Sequence, residues 1–187
     1  MIRRLACSGT IVALIACAGA VGAAPALAVA GWSSSGSSDE GAADLTTCSA
    51  GLIWDPRNSE CVQAHRGVLP DKELTQYAYA LLEAGRYQEV LALLDLLDNP
   101  ETARALNYRA FATRKLGGLD EAIGYYLKAV ALDPRYTQVR EYLGEAYVEK
   151  GRLDLAEQQL TILETLCGTS CEEYLDLAEA IAAGRGR

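Results

Sequence analysis

Three short stretches decide how the chain folds: Gly85-Arg86-Tyr87-Gln88-Glu89-Val90, Gly117-Gly118-Leu119-Asp120-Glu121-Ala122 and Gly151-Arg152-Leu153-Asp154-Leu155-Ala156. Each opens on Gly, each follows an amphipathic segment of helical period, and each leads into another. The second and third of these Gly residues lie 34 positions apart, the first and second 32. A Gly at a helix end adopts the left-handed conformation that other residues resist, so each one reads as the close of one helix before the next begins. Ala, Leu and Glu dominate from Leu69 onward, which is helix-forming composition. A pair of such helices cannot bury its apolar stripe alone, so copies must stack, with about three as the practical minimum. Asn99-Pro100 and Asp133-Pro134 are expected to stop the second helices of the first two pairs, because Pro cannot continue a helix.

This spacing and these residues resemble the tetratricopeptide repeat. Its pattern asks for a large residue, an apolar-small pair and an aromatic in the first helix. It then asks for a small residue, an aromatic or Leu and a second small residue in the second helix, followed by Pro. The middle copy supplies Leu106, Ala110, Ala122, Tyr126, Ala129 and Pro134. The third supplies Leu143-Gly144, Tyr147, Ala156 and Leu160, then Leu163 where a small residue is usual; the first supplies Leu74, Tyr77-Ala78, Leu81, Leu94 and Pro100. The resemblance implies an all-α right-handed superhelix over residues 69–168, with repeats at about 71–102, 103–136 and 137–168. A capping helix and tail would follow at 169–187.

The resemblance also implies a concave groove, lined by the first helices, that receives a peptide or partner helix. Carried over residue by residue, its lining is Thr75, Tyr79 and Leu82, then Asn107, Phe111, Arg114 and Lys115, then Glu141, Glu145 and Glu149. Phe111, the sole Phe, falls where the array should not need it for its own core, and an exposed aromatic beside Arg is a common binding anchor. The groove is expected to be basic in the middle repeat and acidic in the third. Two features depart from the family pattern. The five-residue clamp for C-terminal carboxylates of chaperone-binding members is not reproduced, since Asn107 alone matches part of it. Arg109 stands where an apolar residue is expected; it reads as snorkelling, as paired with an acid of the next repeat, or as marking the groove edge.

The end of the array is punctuated. Gly168 follows the last periodic residues, and Thr169-Ser170-Cys171-Glu172 fits a capping box. Tyr174, Leu175, Leu177, Ala178 and Ile181 line one face of a final helix with acids opposite, as in a terminal cap.

Ahead of the repeats the chain changes character twice. Arg3-Arg4 precedes an uncharged run from Leu5 to Ala30 that closes on Ala28-Val29-Ala30. Residues 1–30 read as a secretory signal peptide, with periplasmic or secreted localisation as the expectation. Leu14-Ile15-Ala16-Cys17 offers the alternative of a bacterial lipobox, with a lipid on Cys17 as the membrane anchor. Residues 31–46 read as a flexible Gly/Ser linker. Residues 47–66 read as a two-Cys β-hairpin: strands at Leu52-Ile53-Trp54 and Cys61-Val62, joined by the turn chemistry of Asp55-Pro56-Arg57-Asn58.

Charge and cysteine usage limit the function. Without residues 1–30 the chain carries 15 basic and 25 acidic residues, a balance that repels phosphate backbones and excludes nucleic acid as partner. Four Cys remain, Cys48, Cys61, Cys167 and Cys171, and an even number in an exported chain points to disulfides; of the three connectivities, local pairing is the simplest. The same Cys167 and Cys171 carry a rival reading as a thiol-disulfide or metal-handling protein. The Cys48/Cys61 hairpin with Trp54 carries another, because it resembles small disulfide carbohydrate-binding modules and would bind envelope glycan. His65 is the only His and sits in a polar connector, and no nucleotide, zinc-protease or hydrolase motif occurs. The reading is therefore a non-enzymatic protein–protein interaction module, an adaptor or assembly factor of the bacterial envelope, with no cofactor and no metal and with a protein or peptide partner.

Overall fold

The computed structural model describes residues 47–186. The leader, the linker and Cys17 lie outside the described residues. A two-stranded hairpin comes first, β1 (Leu52–Asp55) against β2 (Glu60–Gln63), antiparallel with Trp54 opposite Cys61. Seven helices follow: α1 (Asp71–Glu83), α2 (Tyr87–Leu94), α3 (Ala103–Lys115), α4 (Leu119–Leu132), α5 (Thr137–Glu149), α6 (Leu153–Cys167) and α7 (Glu172–Arg185).

The Gly-led stretches sit at the three turns inside the helix pairs. Gly85, Gly117 and Gly151 have φ of 70°, 92° and 75°. At each, the Gly N–H and the next N–H turn back onto the last helical carbonyls: Gly85 onto Leu82 and Arg86 onto Leu81, Gly117 onto Arg114 and Gly118 onto Thr113, Gly151 onto Val148 and Arg152 onto Tyr147. This is the Schellman closure, and it satisfies carbonyls that a helix end leaves open. Identical closures at equivalent positions impose the same reversal three times.

Small residues set how closely the helices approach. Ala110, Ala122, Ala129, Ala146 and Ala156 are all fully buried. The helix α3 divides the interior: Ala105 and Ala112 belong to one apolar cluster with α1, α2 and the hairpin, while Leu106 and Ala110 belong to a second with α4 to α7. The hairpin is bound to the first cluster. Ile53 and Cys48 are buried, the Cys48 N–H donates to the Tyr77 hydroxyl at 2.8 Å, and the Arg86 guanidinium donates to the Cys48 carbonyl at 2.6 Å. Trp54 is half-buried against the same cluster.

Three local expectations are corrected. α4 does stop before Asp133-Pro134, but α2 ends at Leu94, well short of Asn99-Pro100. Arg66 donates to the Asp95 and Leu97 carbonyls, and Asp71 accepts the Asp98 and Asn99 N–H groups, so this connector bonds to residues before and at the start of α1 instead of to a continued helix. Thr169 does not cap the last helix: α7 opens at Glu172 on a Cys171 N-cap that makes no side-chain cap bond. The disulfide to Cys167 anchors that N-cap instead. Leu175 leaves the buried face, 53% exposed, while Leu177 and Ile181 are buried and Tyr174 packs partly against the core.

Candidate functional site

The aromatic and charged residues of α1, α3 and α5 meet across neighbouring helices. Phe111 of α3 lies between Tyr87 and Tyr142, with ring centroids 6.2 and 5.2 Å away. Tyr79 and Tyr108 pair at 6.1 Å on the α1 side, and Tyr142 lies 6.3 Å from Tyr126 on the α5 side. Tilted rings at these separations are the favoured aromatic geometry. Lys115 holds its ammonium 5.1 Å above the Phe111 ring. Phe111 is thus part of the packing between repeats, contrary to the expectation that the array would not need it.

Arg114 is the centre of the site and it is not an exposed basic patch. Its side chain is only 6% exposed. One guanidinium nitrogen reaches Glu145 Oε2 at 2.7 Å, another donates to the Tyr142 carbonyl at 3.1 Å, and Nε stands 3.6 Å from Glu149. Its Cζ lies 5.7 Å from the Phe111 centroid and 6.0 Å from that of Tyr142. Only a planar fork serves two carboxylates, a carbonyl and two ring faces together. Burial opposes its charge, but Tyr126, Glu145 and Glu149 outweigh that and raise its pKa. The basic middle of the groove therefore comes down to Lys115, because Arg114 is neutralised by the acidic repeat beside it.

The other expected lining residues fall on different levels. Tyr79 is 36% exposed at the groove surface, and its hydroxyl titrates high through burial and Glu83. Asn107 and Leu82 are buried, a correction to their expected place on the lining. The Asn107 amide points toward the Tyr136 hydroxyl and Gln138 Oε1, both 3.4 Å away. Thr75 turns its hydroxyl back to the Asp71 carbonyl at 2.6 Å. Glu141, expected on the lining as well, is also buried; burial, then Glu145, Asp176, Glu173 and Glu172, push its carboxyl up to about 9. Arg109 pairs with Asp95 of the preceding repeat at 2.7 Å, not with an acid of the following one, and lies 5.9 Å over the Tyr125 ring.

The sequence reading missed Tyr108, which pairs with Tyr79, and Tyr142, which packs on Phe111. A signal was present: Asn107-Tyr108 and Glu141-Tyr142 stand 34 positions apart, in the register of the repeat. It also missed Asp176 and Glu172, which the capping helix adds to the acidic end.

Away from the groove, Cys48 bonds to Cys61 and Cys167 to Cys171. Cys167, Cys171 and Glu173 bring their sulfur and carboxylate atoms within 4.8 Å of one another, with both sulfurs committed to the disulfide. His65 is exposed, with its Nδ1 3.1 Å from the Arg66 carbonyl.

No protein-family model matches the chain. Comparison with curated proteins finds a TPR repeat-containing thioredoxin, TTL4 of Arabidopsis thaliana, 28% identical over 121 residues, which are 64% of this chain. The chain spans only 17% of that protein's length. Among solved structures, the Yersinia enterocolitica type III secretion translocator chaperone SycD superposes with a TM-score of 0.54 at 18% identity, over 61% of this chain and 82% of that one. The first TPR of Spaghetti (RPAP3), bound to the HSP90 peptide SRMEEVD, superposes with a TM-score of 0.53 at 20% identity, over 65% of this chain and all of that one. The chain has the tetratricopeptide-repeat fold. Its α1/α2, α3/α4 and α5/α6 pairs are TPR-like helical hairpins, and α7 packs against α5 and α6.

Proposed function

We propose that this chain is a protein-interaction module that binds an extended peptide or partner helix in the concave groove of its tetratricopeptide repeats. The observation that carries the reading is the Phe111–Tyr142 ring pair, with the Lys115 ammonium over Phe111 and Glu145 held beside it on Arg114, together with the separate Tyr79–Tyr108 pair. An aromatic with a cation over its face and an acid within reach offers apolar area and directional charge together, which is the composition of interface anchors. Two fold neighbours support it by what their names record: SycD is a translocator chaperone, and the RPAP3 domain is bound to an HSP90 peptide. The proposal assigns the chain no catalysis of its own.

The proposal also places the protein outside the cytoplasm, as an adaptor or assembly factor of a bacterial envelope complex. The leader-like residues 1–30 and two disulfides, which persist in oxidising compartments, support this.

Site-specific photo-crosslinking in the producing cell tests the groove. Crosslinkers at Tyr79 and Lys115 are expected to capture the same partner, and Phe111→Ala to abolish that adduct. Crosslinkers at Leu127 and Leu132, exposed on α4, serve as controls; adducts from α4 alone would overturn the assignment of the groove.

A further inference from the structure

The groove's C-terminal end contains a buried acid for which the array supplies no counter-charge. Glu141 of α5 is 7% exposed, and among the described residues no Lys, Arg or hydrogen-bond donor reaches its carboxylate. The charged groups that act on it are all acids: Glu145 on its own helix, and Glu172, Glu173 and Asp176 on α7. The cations that might have served are engaged elsewhere. Arg114 lies on Glu145 and Glu149, Arg185 on Glu157, and Arg140 donates to the Pro134 carbonyl and to Gln159. A carboxylate removed from water ordinarily gains a partner or keeps its proton. The second course is the one this fold takes, since burial and the surrounding acids push the Glu141 carboxyl up to about 9.

We propose that this end of the groove, between α5 and α7, is a subsite for the cationic side chain of a bound peptide, with Glu141 receiving a Lys ammonium or an Arg guanidinium. This rests on the groove being the peptide-binding face. Charge complementarity favours such an occupant, because the acids that act on Glu141 come from both α5 and α7, and of these Glu145 is held by Arg114 and Glu173 by the Thr137 hydroxyl, which leaves Glu141 itself to take the cation. Arrival of the cation stabilises the ionised form of Glu141, so binding releases a proton and strengthens as pH rises toward 9.

The full-length chain is immobilised and used to select from a random peptide phage library. Peptides retained by the wild type are expected to carry Lys or Arg at one fixed position. Glu141→Gln, nearly isosteric, is expected to lose that preference and to bind a selected peptide roughly thirtyfold more weakly. Replacing the peptide's basic residue by norleucine should cost the same, and the two changes together little more. Selected peptides without a basic preference, or a preference unchanged in Glu141→Gln, would overturn the subsite and leave the groove reading standing. Failure of the wild type to retain any peptide would overturn both. Calcium or magnesium chloride raising the melting temperature of the wild type but not of Glu141→Gln would assign the acids to a metal ion and overturn the peptide subsite. Equal or higher melting temperature for Glu141→Gln in the absence of peptide confirms that a loss of binding is not a loss of fold.

Discussion

Leu177 of α7 occupies the space that a side chain on Gly144 of α5 would need: a methyl group on Gly144 would lie 2.5 Å from one Leu177 δ-carbon and 2.6 Å from the other. Leu177 is fully buried and cannot swing away. The small residue that the repeat pattern asks for at this position is thus the seat of the capping helix, and α7 is held by the interlock that joins one repeat to the next. Gly144→Ala is expected to force α7 outward and cost about 1–3 kcal/mol. Leu177→Ala should cost about 2–5 kcal/mol through the cavity it leaves. Because the first change crowds the space that the second empties, the double variant should be more stable than the sum of the two losses, measured by urea unfolding.

Arg114 is predicted to be a structural cation as much as a binding one. Arg114→Lys keeps the charge but cannot serve the Tyr142 carbonyl, Glu145 and Glu149 at once. It should lose about 1 kcal/mol of stability and Arg114→Met about 2, the remaining acids being partly wet and so only partly penalised. A denaturant titration of the pair distinguishes this from a purely exposed binding residue, for which neither variant would shift the midpoint.

Opening the Cys48–Cys61 bridge should release the hairpin without melting the array. The bridge closes a span of 13 positions, and chain-entropy arguments assign such a loop about 3 kcal/mol. With both Cys replaced by Ala, amide exchange should accelerate at Ile53 and Val62, and more weakly at Tyr77, whose hydroxyl accepts the residue 48 N–H. Amides of α5 and α6 should keep their protection, because they draw on the second apolar cluster. A single cooperative loss of protection across the whole chain would contradict that division.

Much of this architecture was legible because it is written in local chemistry. The three Gly closures need a left-handed residue at fixed places, and Ala110, Ala122 and Ala156 need to be small wherever helices touch. Those demands repeat every 34 residues or nearly so. The site was less legible, for a physical reason. A groove position says which way a residue points, not which neighbour it meets. The sequence places Arg114 in a basic lining because its two acids come from the next repeat, and Asn107 on that lining because its partners, Tyr136 and Gln138, come from the far side of a turn. The end of α2 failed likewise: Arg66 and Asp71, distant in sequence, bond the connector that Pro100 was expected to govern.

Glu141 makes the last prediction, and its sign follows from linkage. Folding raises this carboxyl from an ordinary 4.5 to about 9, chiefly by burial and then by the acids around it. The folded chain therefore holds a proton that the unfolded chain gives up. Whatever Glu141 contributes is fully present below pH 4.5, is eroded as pH rises above it, and is wholly lost once pH passes about 9. Glu141→Gln removes the titration while keeping the shape. The variant should match the wild type near pH 4, exceed it by about 3 kcal/mol at neutral pH, widen that lead up to about pH 9, and gain little more beyond. Thermal unfolding of both chains across that pH range reads the difference directly. A gap between them that is constant with pH would mean that Glu141 finds a partner in the folded state after all.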